Sequence, residues 1–143
     1  MNPHPSQQNP QASPVIMWII WFAILQGLFI LHFFAAPKPV PAEEAVAFSL
    51  SMISIVALAA AGIGMVLRWV VIPRITSKLA QLQAMIIGLA LCEGSGIIGM
   101  FVLPGAHNDE RMLLFVVAVA TVILSAPIYT IRRKTEVSPF HVS

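Results

Sequence analysis

Four apolar runs, Val15–Ala36, Ala45–Leu67, Leu79–Leu103 and Met112–Ile131, dominate this chain and constrain its fold more than any other feature. Each is close to the ~20 residues that cross ~30 Å of hydrocarbon as a helix. A strand or loop facing lipid would leave backbone N–H and C=O groups without partners, so the runs read as helices. Apolar residues make up 58% of the sequence and charged residues 10%, against about 25% charged in soluble domains. That excess leaves no room for a folded water-soluble domain. The connections are short, so the expected architecture is all-α: a four-transmembrane-helix bundle running up-down-up-down. Residues 1–14, rich in Pro, Gln, Asn and Ser, read as a disordered tail, 15–131 as one membrane domain, and 132–143 as a basic tail.

The basic residues are sorted by topology. Arg68, Arg74 and Lys78 flank the turn between the second and third runs, and Arg132, Arg133 and Lys134 follow the fourth. Only Lys38 and Arg111 fall in the other two connections. The positive-inside rule then puts both termini in the cytoplasm. Scattered in this way, the charges behind a pI near 9.1 form no nucleic-acid patch. The first run is longer than a signal-peptide core and no Lys or Arg precedes it, so it reads as a retained span.

Local signals mark the ends. Ala42, Glu43 and Glu44 after Pro41 suit the first turn of the second helix. Arg68 can snorkel to the headgroups. Thr76-Ser77 can cap the third helix, Asn108 or Asp109 the fourth, and Pro127 should kink or shorten the last one.

Glu93 is the residue that makes the chain more than a set of spans. It lies inside the third run, where a carboxylate costs about 2.5–3.5 kcal/mol on insertion scales. Either it is a neutral, hydrogen-bonded structural carboxyl or it carries a proton or ion. Counting along the helices puts Gln26, Ser54 and Thr121 at similar depth, one per helix, as hydrogen-bonding partners for a protonated Glu93. Two stripes of small residues offer close packing: Ser54, Ala57, Ala61 and Gly64 on the second helix, and Gly88, Cys92, Ser95 or Gly96, and Gly99 on the third. Cys92, the only cysteine, reads as a small packing residue, and no intrachain disulfide is possible.

The segments Ala59-Ala60-Ala61-Gly62-Ile63-Gly64, Pro73-Arg74 and Ala90-Leu91-Cys92-Glu93-Gly94-Ser95-Gly96-Ile97-Ile98-Gly99 resemble the hairpin of the proton-carrying c-type subunit of rotary ATP synthases. That resemblance covers the middle half of the chain and implies that Glu93 is the proton-binding carboxyl. The whole architecture also resembles small four-span bacterial membrane proteins of uncharacterised role. That likeness implies a location in the bacterial inner membrane and no activity.

Nothing in the sequence has the convergent nucleophile, base or metal groups of an enzyme. His4, His32, His107 and His141 are scattered, and no Gly-rich phosphate loop or Cys/His metal spacing occurs. No cofactor and no metal are expected. The expected partners are the lipid bilayer and a second copy or another membrane helix. Two functions remain open: a structural or accessory membrane component, and a proton- or ion-linked component that titrates Glu93.

Overall fold

The computed structural model describes residues 14–41 and 43–128, so both expected tails and the Arg132-Arg133-Lys134 cluster lie outside the described residues. Helix α1, Pro14–Ile30, continues as a π-helical turn, Leu31–Ala35. Helix α2, Met52–Val66, continues through a π-helical turn, Leu67–Val71, and a short 3-10 turn, Ile72–Arg74. Helices α3, Lys78–Phe101, and α4, Asn108–Leu124, complete the bundle.

Three of these, Pro14–Ala35, Met52–Arg74 and Lys78–Phe101, are long and apolar enough to cross a membrane. The expected four-span up-down bundle is therefore corrected to three spans with a shorter fourth helix packed against them. The reason lies at both ends of α4. Its first turn carries Asp109, Glu110 and Arg111. At its far end the chain leaves the helix at Ser125, two residues before Pro127, whose ring cannot be accommodated inside a helix. The 17 residues that remain span about 25 Å.

The second helix starts at Met52 rather than at Ala45. Residues 43–44 form a turn, with Glu44 N donating to Pro41 O, and residues 45–50 run without helix. Val46 N donates to Ala106 O, which holds this strap against the α3–α4 connection. Helix α2 then begins where Ser51 can cap it, its hydroxyl accepting from Ser54 N at 3.2 Å. Ser77 caps α3 in the same manner through Ala80 N. The N-cap of α4 is His107, without a side-chain cap bond, while Asn108 Nδ2 reaches across to Val40 O.

Helix α3 is central and packs on the other three. The buried share of each span rises accordingly, from 11% in α1 to 28% in α2 and 44% in α3. On its α2 side, a Cβ placed on Gly64 would lie 2.7 Å from both Cys92 Sγ and Gly88 O. On its α4 side, Gly99 meets Leu114 in the same way, and Gly96 meets Ala118 and Leu28 of α1. The small residues Ala57, Ala61, Gly64, Gly88, Cys92, Gly96 and Gly99 are all buried along these seams.

At the opposite end from the strap, Arg68 is buried and turned inward rather than out toward headgroups. Its Nη2 donates to Ala126 O at 2.5 Å, meeting a carbonyl just past the end of α4, and its guanidinium lies over the Trp69 ring. Trp21 Nε1 donates to Val122 O at 2.7 Å and ties α1 to the same region.

Gly64 and Gly62 give a matched test. Gly64→Ala forces backbone to move at the α2–α3 contact and should cost about 1–3 kcal/mol. Gly62→Ala, with nothing within 4 Å, should be neutral or gain up to about 1 kcal/mol. Unfolding midpoints in detergent micelles measure both. Equal effects would refute the close approach.

Candidate functional site

Antiparallel packing brings the starts of α2 and α4 together at the strap end, and a polar cluster forms there. Glu110, in the first turn of α4, is only 1% exposed. Its carboxylate accepts from Ser51 N at 3.1 Å, Ser51 Oγ at 2.9 Å and Ser54 Oγ at 2.6 Å. The two serine hydroxyls lie 3.0 Å apart. His107 Nδ1 stands 3.6 Å from Glu110 Oε1 and forms an ion pair with it when protonated.

Glu110 lies outside the three spans. Burial pushes its carboxyl up, but the serine hydrogen bonds and His107 outweigh burial and hold it below the ordinary carboxylate range. At neutral pH it is a fixed negative charge with a base beside it. At 3.6 Å the imidazole is an electrostatic neighbour of the carboxylate, beyond hydrogen-bond reach.

Sequence depth had grouped Glu93, Gln26, Ser54 and Thr121; the structure does not bring these four together. Glu93 is half-buried and turned toward α1, its Oε1 3.9 Å from where a Cβ on Gly27 would stand. Gln26, next to that glycine, is exposed and lines an outer groove with Trp18 and Trp21. Ser54 is committed to Ser51 and Glu110. Thr121 Oγ1 donates within its own helix, to Val117 O or Ala118 O. Among the described residues no hydrogen bond reaches the Glu93 carboxyl. Cys92 is fully buried, with its thiol 3.9 Å from Ala61 O.

The Glu110 cluster is the site that sequence reasoning missed, because a charge in a polar connection reads as solvated. The one available signal was Ser51-x-x-Ser54, a helix-start pattern lying inside the run assigned to a span. Among the described residues no group of three or more His, Cys, Asp or Glu side chains is placed to hold a metal ion.

Three apolar spans and a buried polar cluster at one end define a multi-spanning helical membrane protein. No protein-family model, curated protein or solved structure matches the chain. The resemblances to the c-type subunit and to four-span bacterial proteins are corrected accordingly, since three spans replace four and no relative supports either.

The cluster sets a pH dependence. Because the folded carboxyl is depressed, its stabilisation is complete above the ordinary value of 4.5 and is lost as pH falls through the lowered one. Glu110→Gln should flatten the acid limb of the stability profile below about pH 4.5. Ser54→Ala should lower stability by about 1–3 kcal/mol at neutral pH, measured by unfolding in micelles.

Proposed function

We propose that this chain is a proton- or ion-linked membrane component. The observation that carries this reading is the buried Glu110, held by Ser51 and Ser54 and paired with His107 at the strap end of the bundle. A buried carboxylate beside an imidazole is the kind of ionisable pair that functional sites gather, and Glu93 adds a second acid inside a span.

Glu93 is the titrating group in this proposal. It sits within a span, it has no hydrogen bond among the described residues, and its α1 neighbour Gly27 leaves space beside the carboxyl. Glu110 supplies a fixed charge nearer the outer face, with His107 3.6 Å from it. The Arg68, Arg74 and Lys78 end is assigned to the cytoplasm on the positive-inside rule. The component is taken to be non-enzymatic, and association with a second copy or another membrane helix belongs to the same proposal.

Reconstitution into liposomes tests the proposal. Wild-type protein should carry a proton flux above that of empty vesicles. Glu93→Gln should lower the flux about a hundredfold or more, as loss of a proton-transfer group does, with the unfolding midpoint retained. Wild-type flux no higher than empty vesicles, or full flux in Glu93→Gln, sinks the reading and leaves Glu93 as a structural carboxyl that an amide can replace.

A further inference from the structure

A second polar site lies on a neighbouring face of α4. There a pocket of about 400 Å³ opens between the π-helical end of α1, residues 36–39 after it, the end of α3 and the first turn of α4. Arg111 lines it and is 9% exposed. Its Nη2 donates to Pro37 O at 2.9 Å and to Met100 O at 3.2 Å, which fixes the guanidinium against backbone. Its Nε is buried and has no hydrogen-bond partner among the described residues. Among the described residues no carboxylate forms an ion pair with it.

Two further lining residues carry unmet polar atoms. Asn108 is anchored by Nδ2 on Val40 O, while its Oδ1 is buried without a donor among the described residues. His32 stacks on Phe115 at 3.7 Å between ring centroids, and its Nδ1 is likewise buried and unmet. Buried polar atoms are almost always paired, so the unmet atoms of Arg111 and Asn108, side by side in the lining of one pocket, point to a ligand there. Arg111 Nε needs an acceptor, and Asn108 Oδ1 needs a donor.

The charges at the rim divide in the same way. Lys38 and Asp109 both line the pocket, one basic and one acidic. A simple anion would satisfy Arg111 and Lys38 and would be repelled by Asp109 and Asn108 Oδ1. A group holding a phosphate and an N–H donor together matches all four. Phe33 and Met112, both well exposed, add an apolar wall at the pocket. An amphiphile could lay its chain along that wall.

We propose that this pocket binds a phosphate group carrying an amine donor, the headgroup chemistry of an aminophospholipid. Arg111 and Lys38 take the phosphate, and Asp109 with Asn108 Oδ1 takes the ammonium. Arg guanidinium suits this task because its planar fork matches phosphate oxygens.

The test uses the full chain in a phosphate-free maltoside micelle. The probes are short-chain phosphatidylethanolamine, short-chain phosphatidylcholine and inorganic phosphate, titrated by calorimetry. The ethanolamine lipid should bind at least about tenfold tighter than the choline lipid, which lacks N–H donors, as expected for one lost charge-assisted bond. Lys38→Gln, at an exposed position, should weaken ethanolamine-lipid binding by about tenfold, and Arg111→Gln by more. Inorganic phosphate binding as tightly as the ethanolamine lipid would overturn the lipid as the source and the role of the amine. Equal binding of the two lipids, or unchanged binding in Lys38→Gln, would overturn the proposal even where Arg111→Gln fails to fold.

Discussion

Helix α3 can occupy the centre because its small residues let backbone approach backbone at Gly64 and Gly88. In lipid no hydrophobic drive pulls apolar helices together, so contact depends on dispersion at close range. Gly64 leaves Cys92 Sγ and Gly88 O where its own Cβ would otherwise stand. With α3 seated on α2 at that point, its other flanks turn Gly96 and Gly99 toward α4 and α1. Helix α1 is apolar apart from the outward-facing Gln26 and has no such stripe. It remains at the periphery, held through Leu28 and the Trp21 indole.

The same antiparallel closure produces the polar cluster. A helix start leaves N–H groups without intrahelical partners, and a carboxylate three residues past the cap often reaches back to satisfy one of them. In α2 that third position is Ser54, which is too short to reach back. Glu110 supplies the missing carboxylate from the first turn of α4, accepting from Ser51 N. One acidic side chain thus serves two helix N-termini, both of which favour negative charge. The desolvation of Glu110 is offset by these donors together with the two serine hydroxyls.

Features with a fixed helical period were legible in the sequence. Ala57, Ala61 and Gly64, like Gly88, Cys92 and Gly99, recur every three or four residues, and that spacing alone puts each set on one face. Ser77 was legible as a cap from local chemistry. The start of α2 was not legible. Residues 45–50 are as apolar as the helix that follows, and they stay out of it through the tertiary bond from Val46 to Ala106 and the cap at Ser51. The inward turn of Arg68 was equally hidden, since it depends on a carbonyl 58 residues away.

The displaced start of α2 also explains why the expected polar layer does not form. With the helix starting at Met52, Ser54 belongs to its first turn and therefore lies at the strap end, well above the depth of Glu93. Depth, moreover, says nothing about the direction in which a side chain points. Gln26 faces outward, and Thr121 satisfies its hydroxyl on its own helix, as threonine in apolar surroundings commonly does. The two acids are left in opposite situations. Glu110 has three donors and an imidazole, so its anion is stabilised and its proton is easily displaced. Glu93 has no donor among the described residues and lies within a span. A carboxyl already held by hydroxyls serves as a standing charge, whereas one without donors is open to a new partner. That difference in surroundings suits Glu93 to carry a moving proton and Glu110 to stand as the fixed charge.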